Sequence, residues 1–321
     1  MKRLPTAILF VLASLLTATS CLGAGADDDN QYSVDDNAQP APDDQDYQPG
    51  ESYLSDTGYV EYIPGDTPIV VSVPHGGYDE PDEIDDRSGT TVRDAYTLEL
   101  GEEFADAFYE LTGRRVHMIN LLLARTKLDA NRDLDHGAQG DPLAEEVWHE
   151  FHHYIDVAKD WSVDHYDEGF YVDLHGHGNL VQRVELGYLL TGSDLREDDD
   201  ELDNPAYIEA SSIRTLYEDH PDDISFPELL RGDTSLGALL EQRDHRSVPA
   251  PDDPAPGAWS IYFSGGYNTE VHGSSDGDPV SGVQIEAHRD VRTDDDERLQ
   301  FAGDLAEAIA EFAETHYHWQ W

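Results

Sequence analysis

The sequence is short of positive charge and of sulfur. Nineteen Lys and Arg face 69 Asp and Glu across 321 residues, a formal net charge of −50. Lysine occurs only at positions 2, 127 and 159. Phosphate backbones are held by clustered Lys and Arg, so this scarcity excludes nucleic acid as a partner. The acid is spread along the chain rather than gathered in a tail. That distribution fits a surface built to stay hydrated and soluble in high salt, a matter of habitat rather than mechanism. Cys21 is the single cysteine, which excludes a disulfide within the chain.

The amino terminus carries what the rest lacks. Lys2 and Arg3 precede an apolar run from Leu4 to Leu16 and the small residues Ala18-Thr19-Ser20. This order is that of a secretory signal over residues 1–20. The apolar run is too short to cross a bilayer as a helix, so its removal is expected. Ala18-Thr19-Ser20-Cys21 resembles a prokaryotic lipoprotein signal, with alanine where leucine is commonest. The resemblance implies a lipid anchor on Cys21 and an exported protein held at the cell envelope. Residues 21–52 are rich in Asp, Gln, Pro and Gly, so they read as a disordered acidic tether. Residues 53–321 suffice for one large domain with its own core.

Within that domain, Pro68–Val73 (PIVVSV) is an apolar, β-branched run suited to a buried parallel strand. Val116–Leu123, Phe170–Leu174 and Gly282–Ile285 read the same way. Leu100, Phe104, Phe108 and Leu111 fall at helical spacing, with Gly113 as a stop. Leu143, Val147, Phe151, Tyr154 and Ala158 mark a second helix, and a third runs from about Arg298 to Thr315. Strands alternating with helices predict an α/β fold, a mixed, mostly parallel sheet flanked by helices in three layers. Ser193–Asp203 and Val248–Gly257 read as surface loops.

Each of the four strands ends in a polar cluster, and in open α/β sheets ligands bind beyond the carboxyl ends of strands. His75-Gly76-Gly77 with Asp79-Glu80 follows the first, and Arg125 with Asp129, Asn131 and Arg132 follows the second. Asp173-Leu174-His175 ends the third, and Gln284-Ile285-Glu286 with Arg289 ends the last. Two histidines and a carboxylate form a catalytic zinc set that leaves a position open for water. His75 and His175 are the candidate imidazoles, and Asp173 is placed to orient one of them. Glu80 is the favoured carboxylate ligand, with Asp94 as the alternative. A competing motif, His149-Glu150-x-x-His153, matches the H-E-x-x-H of zincin proteases. Its histidines lie off the centre of the apolar stripe of their helix, which argues against it.

Seven segments in order resemble the N-formylglutamate amidohydrolase-like family, within the wider zinc carboxypeptidase-like group. They are VPHGG (73–77), RDAYT around Asp94, R-x-x-x-D-x-N-R (125–132), VW-x-x-FH (147–152), DLH (173–175), GGYNTEVHG (265–273) and VQIE (283–286). The resemblance implies zinc held by two histidines and a carboxylate, Asn131-Arg132 on a substrate carboxylate, and Glu286 as the base. It also places His152 at a position where the family has a histidine. One departure concerns the first ligand pair. Carboxypeptidases have glutamate three residues after the histidine, where this chain has Tyr78; the spacing of His75 to Glu80 is similar to that of poly-γ-glutamate hydrolases.

The implied reaction is zinc-assisted amide hydrolysis on a small-molecule or peptide substrate carrying a carboxylate. Arg125 and Arg289 are further candidate cations, and His272 and Tyr267 candidates to cover the site or bind substrate. Export argues for an extracellular N-acyl amino acid, peptide or γ-glutamyl polymer rather than formylglutamate itself. A non-catalytic, surface-binding lipoprotein is the rival from another class.

Overall fold

The computed structural model describes residues 46–219 and 224–321. The expected signal segment, Cys21 and most of the tether lie outside the described residues. One sheet of eight strands organises the chain: β1 (Tyr53–Leu54), β2 (Val60–Ile63), β3 (Ile69–Val73), β4 (His117–Leu121), β5 (Gly169–His177), β6 (Val184–Gly187), β7 (Ser247–Val248) and β8 (Val280–His288). Their order is β1-β2-β4-β3-β5-β8-β6-β7. The central run β4-β3-β5-β8 is parallel, as is β6 with β7. β1, β2 and β6 make antiparallel joins. The sheet is mixed and mostly parallel, as the strand patterns predict.

Period-two side-chain alternation divides β3 between two cores. Ile69, Val71 and Val73 join one apolar cluster, packed by helices Thr97–Thr112 and Asp295–His316. Val70 faces the other, packed by helix Pro142–Tyr166. Three layers result, and both sheet faces are covered, which is why these strands are apolar on both sides. Helix Pro142–Tyr166 starts where Asp141 accepts hydrogen bonds from the amides of Leu143 and Ala144 (3.0 and 3.1 Å). Helix Thr97–Thr112 stops at Gly113, whose φ of 70° is left-handed. No helix among the described residues is long and apolar enough to cross a membrane.

The structure corrects three boundaries. Ordered packing begins before residue 53: the Tyr47 ring meets that of Tyr62 at 5.1 Å, and Gly50 N donates to Pro64 O (2.9 Å). Ser193–Asp203 contains a short helix, Asp199–Leu202, capped by Asp198. Val248–Gly257 is partly internal, with Val248 and Ala250 buried and Asp253 accepting from Arg183 (3.3 Å).

His117 gives this fold an acid sensitivity away from any site. Burial pushes its imidazole down to about 3, from an unfolded value near 6.5. A depressed histidine contributes stability that is complete above the unfolded value and is lost as pH falls toward the folded one. The contribution is at most about 5 kcal/mol. His117→Gln is therefore expected to flatten the loss of stability between about pH 6.5 and 3 in denaturant titrations. An unchanged acid limb would contradict this.

Candidate active site

The chain leaves β3 through Pro74 and turns at once into His75. A Cβ on Gly77 would collide with the Leu122 carbonyl, so glycine is needed for this close approach. Asp94 N donates to His75 O (3.1 Å), fixing the segment before helix Thr97–Thr112 against the end of β3. Gly176 N in β5 donates to Asp94 Oδ2 (3.2 Å), tying in the third element. A Cβ on Gly176 would run into the buried Arg292 guanidinium. Three separate segments thus deliver His75, Asp94 and His175 to one point.

There, His75 Nδ1 lies 3.0 Å from His175 Nδ1, and Asp94 Oδ2 lies 3.4 and 3.2 Å from those two atoms. All three side chains are buried, and among the described residues they are the group of His, Cys, Asp and Glu able to close on a metal ion. Tetrahedral zinc with bonds of 2.0–2.2 Å separates its ligand atoms by about 3.3 Å. The donor set fits. Each outer nitrogen has a carboxylate: His75 Nε2 is 2.6 Å from Asp129 Oδ1, and His175 Nε2 is 2.7 Å from Asp173 Oδ2. These partners assign the proton to Nε2 and aim both Nδ1 lone pairs inward.

The electrostatics also call for positive charge at this point. Burial works against protonating His175, yet the charge and hydrogen bond of Asp173, with Asp94, hold its pKa well above the usual range. Burial likewise opposes ionisation of Asp94 and Asp129, and their histidine partners outweigh it, so both stay well below the usual carboxylate range. A proton or a metal cation would satisfy the same lone pairs, so a metal ion binding here would have to displace a proton.

Glu286 is the neighbour of His175 across β5 and β8, and Glu185 is the neighbour of Glu286 across β8 and β6. Side chains in such register share a sheet face. Glu185 is neutralised by Arg183, both of whose contacts measure 3.2 Å. Glu286 receives one hydrogen bond, from Gln284 Nε2 (3.1 Å), and among the described residues has no ion pair. Burial pushes its pKa up to about 8, His175 opposing and Asp94 adding to the rise. A buried carboxyl group raised toward neutrality beside a metal-capable triad is suited to moving a proton.

Other expected residues are distributed differently. Glu80 is exposed and accepts from Thr126 Oγ1 (3.1 Å), so Asp94 takes the place expected for it. The reason is the bridge between Asp79 and Leu123, which carries the chain outward alongside β4. Arg125 is committed to site carboxylates, with Nη2 3.0 Å from Asp129 Oδ2 and Nη1 3.5 Å from Asp94 Oδ1. It braces the ligands rather than standing free for substrate. Arg132 is exposed, its Nη1 donating to Asn131 O (2.7 Å), and Arg289 is exposed after β8. Asn131 is buried, with Nδ2 3.2 Å from His175 Nε2.

His272 does not cover the site. It is buried, with Nε2 2.8 Å from His152 Nδ1, because helix Tyr267–His272 packs on β5 and β8. Tyr267 packs its ring on those of His152 and Trp148. His152 and Trp148 in turn brace the loop holding Asn131: His152 Nε2 donates to Ala130 O (3.1 Å) and Trp148 Nε1 to Arg132 O (2.9 Å).

The zincin pattern does not assemble. His149 is exposed, and Glu150 is occupied by Thr57, whose amide donates to it at 2.9 Å. Sequence reasoning left Glu185 out of the site and gave Asp129 and Gln284, which it placed in the strand-end clusters, no role there. For Gln284 a usable signal was alternation, since every second residue from Asp173 in β5 and from Gln284 in β8 is polar on one face.

The structure of N-formylglutamate amidohydrolase from Ralstonia eutropha JMP134 superposes with a TM-score of 0.50 at 12% identity, covering 81% of this chain and 98% of that one. This chain shares its fold. A gene product of Agrobacterium tumefaciens is similar over 80% of this chain and 95% of its own (TM-score 0.48, 14% identity). A bacteriophage poly-γ-glutamate hydrolase is similar over 79% and 88% (TM-score 0.35, 16% identity). No protein-family model and no curated protein matches the chain.

Proposed function

We propose that this protein is a zinc-dependent amidohydrolase that cleaves the C–N bond of an N-acyl amino acid or γ-glutamyl compound bearing a carboxylate. The observation that carries the reading is the convergence of His75 Nδ1, His175 Nδ1 and Asp94 Oδ2, with Glu286 in register beside His175. Zinc in such a set supplies Lewis acidity, which makes water a nucleophile near neutral pH and polarises an amide carbonyl. His75, Asp94 and His175 would hold it, with Asp129 and Asp173 fixing the two imidazoles.

Glu286 accepts a proton from the attacking water as the oxygen–carbon bond forms. It returns that proton to the nitrogen as the carbon–nitrogen bond breaks, releasing an amine and a carboxylic acid, which then ionises to the carboxylate. Arg132, the exposed guanidinium beside Asn131, pairs with the substrate carboxylate through its planar fork. Export and a lipid anchor at Cys21 belong to the same proposal. They favour an extracellular acyl amino acid, peptide or γ-glutamyl polymer over formylglutamate.

The test is metal content of the purified protein together with amine release from N-acyl amino acids and γ-glutamyl peptides. One zinc per chain and turnover support the reading. Absence of stoichiometric metal would sink it, and metal without turnover would leave the non-catalytic binding module.

A further inference from the structure

The segment after Gly257 begins with a turn, closed by Ser260 N donating to Gly257 O (2.8 Å), continues without regular secondary structure and alternates in exposure. Trp259, Ile261 and Phe263 are 98%, 65% and 37% exposed, while the residues between them are tied inward. Arg183 Nη2 donates to Ser260 Oγ (3.3 Å), and Tyr262 Oη donates to Leu186 O (2.6 Å). Phe263 N donates to Glu185 Oε2 (2.9 Å), the carboxylate in register with Glu286. Three large apolar side chains are therefore presented outward from a segment anchored at every second residue. On a chain of net charge −50 such a row is not ordinary surface.

Its position is defined at both ends. The Phe263 ring lies 6.2 Å from that of His177, two residues beyond His175 in β5. Leu180, fully exposed, is in the turn that follows His177. At the other end, Gly266 is so close to Asn131 that a Cβ would lie 2.5 Å from its Nδ2. The segment thus runs along the site, from the Asn131-Arg132 end past Glu286 to an apolar end at Phe263.

We propose that Leu180, Trp259, Ile261 and Phe263 form the subsite for an apolar acyl group, so that the substrate class is an amino acid N-acylated by an aliphatic or aromatic chain. This rests on the amidohydrolase reading and adds the acyl side to it. A carboxylate at Arg132 and an apolar chain at Phe263 place the scissile amide between them, beside the triad and Glu286.

The test is a series of N-formyl-, N-acetyl-, N-hexanoyl- and N-octanoylglutamate, assayed by amine release with the full zinc-loaded protein and with Ile261→Ser and Phe263→Ser. In the wild type kcat/KM is expected to rise with chain length, by up to about fourfold for each methylene that becomes buried. In the variants the ratio of octanoyl to formyl kcat/KM is expected to fall at least tenfold. A general loss of catalysis would leave that ratio untouched. A flat wild-type series, or a ratio unchanged in both variants, overturns the inference while sparing the amidohydrolase reading. No hydrolysis of any member by zinc-loaded protein overturns the inference, and the amidohydrolase reading falls with it only if γ-glutamyl peptides are not cleaved either. Binding to phosphatidylcholine vesicles that both variants abolish, with the ratio unchanged, would make the row a membrane contact instead.

Discussion

Glu286→Gln is expected to lower kcat by 10²–10⁴-fold, the usual share of a general acid–base group, while metal content and fold are kept. The substitution is isosteric, and the amide retains an oxygen for the hydrogen bond from Gln284. It removes only the ability to take and return a proton. KM should change little, since the substrate carboxylate is assigned to Arg132. The variant should also be at least as stable as the wild type, because a buried carboxyl beside Glu185 is replaced by a neutral group. Steady-state kinetics with metal analysis on the same sample check this. Activity within threefold of wild type would remove Glu286 from the role of base.

Asp94→Asn and His175→Ala are expected to weaken zinc binding by more than about 100-fold, beyond what supporting residues alone contribute. An amide is a poor ligand, and Asn at 94 also discards the charge that offsets the cation. Activity should fall below about 1% and stay there except at high added zinc. The contrast lies in Glu80→Gln and His149→Ala, each expected to alter zinc affinity and turnover by less than about twofold. Both residues are exposed and stand outside the triad. Zinc titration by competition with a chelating dye reads all four. Loss of zinc in Glu80→Gln with retention in Asp94→Asn would reverse the ligand assignment.

The central strands and flanking helices were legible because their residues face two cores at once. Ile69–Val73 reads as a buried strand from its β-branched run alone, and the stripe from Val147 to Ala158 reads as a helix face. β1, β2 and the short helices between residues 199 and 241 were not legible, since two to six residues are too few to show a period.

In the site, His75, His175 and Glu286 could be read because strand ends mark them directly. Asp94 ranked second because nothing in linear spacing signals the hydrogen bond from its amide to the His75 carbonyl. Glu80, nearer in sequence, is carried away by the bridge at Asp79. His272 misled for a related reason. In a glycine-rich stretch it read as a residue to cover the site or bind substrate, whereas Gly266 and Gly273 permit close packing, against Asn131 and against Ser212 and the Thr269 carbonyl.

The most direct measurement is the anomalous-scattering position of zinc in a crystal of the wild-type protein. The expected peak lies about 2.0–2.2 Å from His75 Nδ1, His175 Nδ1 and Asp94 Oδ2, on the sheet face that carries Glu286. A peak at His149 and His153, or one that includes Glu80 in place of Asp94, would contradict the account.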